Sequence, residues 1–238
     1  MPVNVHNQPP ESTAAPATGA ETPGEAALVP ARSGFPGAGV TGACMIAGPA
    51  LAVVASALGA GSYHARGAAF VAAMAGHPTQ FDLAVQLSLA AMILLLFAVI
   101  GLATMIAGVV ALWGRVAGVF TVIGLLGPIS FESVYWAASR ITDSAGHRAA
   151  AARLIDQSQI IPRSIMNISG PCLVLGFVLL GVAAHRAGVL DGPRAILLAV
   201  TCAIPAGFIS GHLVIAVVAF ACTTVALAPL GLRLLRAR

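Results

Sequence analysis

Lysine is absent from this chain, and all twelve basic residues are arginines. Charge of either sign is scarce: only 8% of the 238 residues carry it, against about a quarter in a soluble domain. With 58% of its residues hydrophobic, such a chain cannot cover its own surface in water. Its solvent is therefore expected to be lipid. The missing lysine, together with abundant alanine and glycine, points to a GC-rich bacterial gene and says nothing about function. Catalytic signatures are also missing. There is no G-x-S-x-G, no H-E-x-x-H, no phosphate-binding loop and no pair of carboxylates. No enzyme is expected, and no catalytic residue is assigned.

The net charge of +4 does not imply nucleic acid. The arginines are scattered one or two per loop, with no basic stripe and no interleaved aromatics, so they read as topology signals. Cys44, Cys172, Cys202 and Cys222 each stand alone in an apolar segment, without C-x-x-C spacing. They read as small packing residues, with no metal or disulfide. A haem pair would need two histidines deep in facing helices, whereas His64, His77, His147 and His185 fall in loops. No cofactor is expected.

What is present is a series of long apolar segments behind a polar tail. Residues 1–39 hold seven of the fifteen prolines and three glutamates, without apolar periodicity. They are expected to be disordered, and they lack the basic start and apolar core of a signal peptide. The rest reads as one all-α bundle of six transmembrane spans over 41–63, 83–107, 116–138, 163–184, 194–211 and 213–232. The run from Leu83 to Ala138 is too long for one span of roughly 20 residues and about right for two. Its only break is placed at Gly114-Arg115. The run from Ala195 to Leu232 is divided in the same way at Ser210-Gly211-His212.

Between the first two spans, Phe70, Val71 and Met74 form one interfacial turn, ended by Gly76 and Pro78. Residues 139–162 read as a short helix on the membrane surface. Trp113 and Tyr135-Trp136, at opposite ends of the third span, suit two aromatic belts. Ala55-x-x-x-Gly59 and the series Ala203, Gly207, Gly211 offer small-residue faces for close helix packing.

Six spans place seven arginines on one side and five on the other. That bias puts both termini in the cytoplasm, with the chain in the plasma membrane. Read with a single last span, the counts become four against eight and the orientation reverses.

One acid falls inside an expected span. Glu132 lies about two turns from the end of the third span, four residues after Pro128. A carboxylate there must be neutral, paired or reached by water. Arg163, at the foot of the fourth span, is its expected partner. Asn167 and His212 complete a candidate intramembrane polar site of Glu132, Arg163, Asn167 and His212. Glu132 can be a proton relay, or simply a group that holds two helices in register.

Proline follows glycine at Gly48-Pro49, Gly127-Pro128 and Gly170-Pro171, and each pair is expected to kink its helix. Gly48-Pro49-x-Leu51 with Leu58-Gly59 recurs at identical spacing as Gly170-Pro171-x-Leu173 with Leu180-Gly181. Two inverted three-helix halves would give that pattern.

Gly76-His77-Pro78 with Phe81, and His185-Arg186-Ala187-Gly188-Val189-Leu190 with Pro193, resemble a family of small, largely actinobacterial multi-pass membrane proteins of unknown function. The resemblance covers about residues 41–235. It implies a six-helix bundle and no known activity, and it assigns no site residue. An acid in the third span is not part of that family's pattern. The leading expectation is a non-enzymatic accessory or structural membrane protein. Its partner is the bilayer, with a second membrane protein or copy of the chain against it, and no nucleic acid. The alternative is a small proton-coupled transporter using Glu132, which would require Glu132, Asn167, Thr201 and His212 to face one cavity near the midplane.

Overall fold

A computed structural model of the protein describes residues 36–59, 67–141, 145–158, 160–205 and 213–237. The side chains of 67–69, 139, 145–146, 154–158, 160–166 and 213 fall outside that description. Every described element is helical. Five helices are long and apolar enough to cross a membrane: α1 (Ala38–Gly59), α3 (Pro78–Ala107), α4 (Ala111–Ser139), α6 (Ile160–Arg186) and α8 (Leu213–Arg236). Three shorter helices are α2 (Gly67–Gly76), α5 (Ala145–Ser158) and α7 (Gly192–Val200). The shortest long helix, α1, has 22 residues, which at 1.5 Å each give about 33 Å, the thickness of a hydrocarbon core.

Periodicity explains the packing. On α3 the positions 81, 85, 88, 92, 95, 99, 102 and 106 alternate by four and three. Phe81, Val85, Ser88, Met92, Leu95, Val99, Leu102 and Ile106 are all buried. That seam faces neighbouring helices, while Leu83 and Ile93 point outward. Val119, Leu126, Leu175, Val182, Val214 and Val225 are likewise exposed on other helices. Apolar side chains on every outer face are what lipid solvates and water does not.

The long elements pack side by side in chain order: α1 on α3, α3 on α4, α4 on α6, α6 on α7 and α7 on α8, with α8 closing on α1. Phe177, Phe220, Leu95, Leu102 and Leu180 are fully buried in the resulting core. Glycine sets how close the neighbours come. A Cβ on Gly42 would sit 2.7 Å from the Gly231 carbonyl oxygen, and one on Gly176 would sit 2.6 Å from the Thr121 nitrogen. A Cβ on Gly48 would lie 2.9 Å from the Leu95 nitrogen of α3, and one on Gly181 would lie 2.7 Å from the Ala195 carbonyl oxygen of α7. Hydrocarbon gives helices no hydrophobic reason to associate, so close backbone approach supplies the dispersion that holds them.

Several expectations are corrected. The hairpin between the second and third spans turns at 108–110, not at Gly114-Arg115. Gly114 lies inside α4, because its missing side chain lets α4 rest on the Ala107 backbone of α3. It is a contact residue and not a breaker. α3 begins at Pro78, five residues before the expected start, with the proline in its first turn where a missing N–H costs nothing. Asp82 therefore lies within a long helix. Ala38 and Gly39 belong to α1 and not to the tail. The interfacial turn at Phe70 is a ten-residue helix whose Phe70, Val71 and Met74 are buried against the bundle.

Within the stretch expected to be a fifth span at 194–211, the described residues begin with a nine-residue helix, α7 (Gly192–Val200). A 3-10 turn follows at Thr201–Ala203, with helical residues at 204 and 205. Asp191 caps α7 by accepting from the Arg194 N–H at 3.2 Å. Gly207, Gly211 and the division at Ser210-Gly211-His212 lie outside the described residues, as does the tail through residue 35. The two equally spaced Gly-Pro pairs play different parts. Gly48 is pressed against α3, whereas a Cβ on Gly170 would meet nothing within 4 Å.

Candidate functional site

Glu132 lies on the packed stripe of α4 that also carries Thr121 and Leu125, and it is 5% exposed. Across the α3–α4 contact, Ser88 Oγ donates to Glu132 Oε1 at 2.7 Å. Ser88 is a polar residue at a position of the α3 seam otherwise filled by Val85 and Met92, and it is itself buried. The Ser88 hydroxyl thus has a buried acceptor on the neighbouring helix, where an unpaired polar group facing lipid would be costly.

A cover lies over this pair toward the end of the bundle where α3 begins and α4 ends. Phe81 is two turns before Ser88 on one face of α3, and Tyr135 is one turn beyond Glu132 on α4. Phe70 of α2 packs between them, 5.5 Å from the Phe81 ring centroid and 5.1 Å from that of Tyr135. Phe131 approaches Tyr135 at 6.2 Å. Val71, Met74, Val85, Ala138 and Ala151 of α5 complete the cluster. α2 and α5 thus close this end of the α3–α4 pair with apolar and aromatic groups.

Outside the cover, Arg140 Nη2 lies 3.3 Å from Asp82 Oδ1 and donates to Oδ2 at the same distance. Gln86 also donates to Asp82 Oδ2, at 2.8 Å. The Arg140 guanidinium sits 5.6 Å from the Trp136 ring centroid. At the other end, Arg186 sits 5.7 Å from Trp113. Trp113 and Trp136, at opposite ends of α4, each have an arginine over the ring.

A second buried polar contact joins α7 and α8. Thr201 and Thr223, both without exposed surface, share a hydrogen bond. Thr223 Oγ1 also donates to the Ala219 carbonyl at 2.8 Å. A small crevice lies between α4, α6 and the residues after α7, lined by Gly124, Pro128, Ser169, Gly170, Leu173, Ile204 and Pro205. Its walls are mainly apolar, and Glu132 and Thr201 are not among them.

Of the four candidate residues, Glu132 is buried and bonded, and Asn167 is exposed on α6. The Arg163 side chain and His212 lie outside the described residues. Ser88 and Asp82 were missed. Ser88 was legible as the single polar residue in a four-three seam, and Asp82 was hidden by starting the helix at Leu83. Among the described residues, no three His, Cys, Asp or Glu side chains gather as metal ligands would. The four cysteines are free. Scans of protein-family models, curated proteins and solved structures return no match to the chain.

Proposed function

We propose that the protein is a non-enzymatic structural or accessory component of the cell membrane, a small-residue helical bundle that presents its outer faces to lipid and to a membrane partner. One observation carries the reading. Two buried polar contacts lie at separate places, Ser88 with Glu132 between α3 and α4 and Thr201 with Thr223 between the turn after α7 and α8, while the buried Thr121 bonds the Ala117 carbonyl of its own helix. None of these four paired side chains lines the crevice described above, whose one polar lining residue is Ser169. A proton path needs such groups to converge on shared, wetted space.

The same reading has six crossings. Gly42 near the start of α1 meets Gly231 near the end of α8, so both ends of the bundle's chain lie on one side. Leu58, at the far end of α1, accepts from Gln80 at the start of α3. Arg186 at the end of α6 meets Trp113 at the start of α4, which returns the chain to the terminal side before α7. The reading therefore takes an even number of crossings, with α7 and the turn after it on the path of the sixth. The terminal side holds Arg115, Arg186, Arg194, Arg233 and Arg236, which favours the cytoplasm for both termini.

Two experiments test this. Purified protein in liposomes should leave an imposed pH gradient no leakier than empty liposomes, and Glu132→Gln should behave identically. Proton flux that Glu132→Gln abolishes overturns the structural reading in favour of transport. With the native cysteines replaced by alanine, single cysteines at 37 and 237 should react with an impermeant thiol reagent from the same side. Cysteines at 80 and 147 should react from the other side. Labelling of 37 and 237 from opposite sides removes the sixth crossing.

A further inference from the structure

The two ends of the bundle carry the same motif, an arginine over an exposed tryptophan, in different electrostatic settings. At the α2–α5 end, Arg140 over Trp136 is neutralised by Asp82, 3.3 Å away. At the terminal end, Arg186 over Trp113 makes no ion pair among the described residues. The acid closest to it in sequence, Asp191, is already engaged by the Arg194 N–H and lies 3.7 Å from Arg194 Nε. Beside the pair, the hairpin between α3 and α4 thrusts Val109 and Leu112 outward, 66% and 71% exposed, with Trp113 at 41%. Apolar prongs, an amphipathic ring and a guanidinium with no ion pair among the described residues, all at one end of the bundle, are groups that suit acyl chain, glycerol and phosphate.

The geometry points to a binding site for an anionic phospholipid at the terminal end of the α4–α6 contact. Arg186 takes the headgroup phosphate in a charge-assisted hydrogen bond, and Trp113 and Leu112 lie along the upper acyl chain. Arg186 stands in the last turn of α6, so its backbone is fixed, and the Trp113 face holds the guanidinium in place without consuming its donors. Charge complementarity selects an acidic headgroup: a zwitterionic lipid brings its own cation to the phosphate, and among the described residues Arg186 has no carboxylate to offer it. At the opposite end Asp82 already occupies that role, so Arg140 is not expected to bind.

The proposal rests on the chain's membrane embedding and goes beyond the structural role. The test is native mass spectrometry of the full chain in detergent, with phosphatidylglycerol or phosphatidylcholine of matched acyl chains. The wild type should retain phosphatidylglycerol in preference. Arg186→Ala should lower that retention about fivefold, the effect of roughly one basic residue at an acidic membrane surface, and leave phosphatidylcholine unchanged. Trp113→Leu, on the other helix, should move it in the same direction, and it decides the matter if Arg186→Ala does not fold. Arg140→Ala and Trp136→Leu should change nothing. Equal retention of the two lipids by the wild type, or equal losses from the variants at the two ends, overturns the site. A chain that stays monodisperse without detergent removes the premise of membrane embedding instead.

Discussion

Replacing Glu132 separates a helix clamp from a proton carrier. Glu132→Gln keeps an amide oxygen where Oε1 stands, so Ser88 Oγ retains its acceptor at 2.7 Å. Glu132→Ala removes that acceptor and three further heavy atoms from a site that is 5% exposed. The loss has two parts. Stranding a buried hydroxyl costs about 1–3 kcal/mol, less where Ser88 turns to a backbone carbonyl of its own helix. Emptying the space adds about 1–2 kcal/mol, since the cover formed by Phe70, Phe81 and Tyr135 has little freedom to collapse inward. Glu132→Ala should therefore destabilise by about 2–4 kcal/mol, and Glu132→Gln by under about 1 kcal/mol. A double-mutant cycle with Ser88→Ala isolates the bond. Interhelical hydrogen bonds in membrane proteins average about 0.6 kcal/mol and reach about 1.7. The coupling should fall in that interval, measured by equilibrium unfolding in mixed micelles. A coupling of zero refutes the clamp. Glutamine as damaging as alanine shows that the charge, and not the acceptor, is what α4 needs.

Gly176→Leu should destabilise by at least about 1–3 kcal/mol through overpacking, because its Cβ would arrive 2.6 Å from the Thr121 backbone nitrogen. Gly76→Ala, with nothing within 4 Å, should change the unfolding midpoint negligibly. Thr223→Val removes one member of the Thr201–Thr223 bond at nearly constant volume. It should cost about 1 kcal/mol, and Thr201→Val added to it should cost little more, by the same unfolding assay. Asp82→Asn should shift stability by no more than about 1 kcal/mol, with the effect fading in high salt, since Arg140 is 54% exposed.

The apolar segments and their approximate ends were legible because lipid leaves only one solution for the backbone: long helices with every hydrogen bond made internally. The short helix at 145–158 and the Asp191 turn were legible for local reasons, a polar break and a capping side chain followed by proline. Hairpin placement was not. Gly108 and Gly114 look alike in sequence, and only the crossing of α3 and α4 decides that the first ends a helix while the second is pressed against Ala107. Glu132 stood out by its charge, but its partner did not, because serine is common and Ser88 becomes informative only as the odd member of the α3 seam. The likeness between Gly48-Pro49 and Gly170-Pro171 misled for the opposite reason. Identical spacing in a chain with 26 glycines and 15 prolines carries no information about what each glycine touches.

Glycine and hydroxyl contacts make different demands on motion, and their division here bears on function. A glycine contact such as Gly42 on Gly231 gains only from close approach, so a slide of an ångström forfeits much of it. Such contacts recur at α1–α8, α1–α3, α3–α4, α4–α6 and α6–α7. The contact of α7 and its 3-10 turn with α8 instead has a buried hydroxyl pair, at a helix of only nine residues. A bundle that rocked between two states would need at least one smooth interface over which helices could trade partners. Around most of this ring no interface is smooth in that sense. If any segment yields, physical reasoning places it at α7, where the helix gives way to a 3-10 turn and a proline at 205. Broadened resonances or fast hydrogen exchange confined to 192–205 fit a rigid scaffold with one adaptable segment. The same behaviour at Gly42, Gly176 and Gly231 contradicts it.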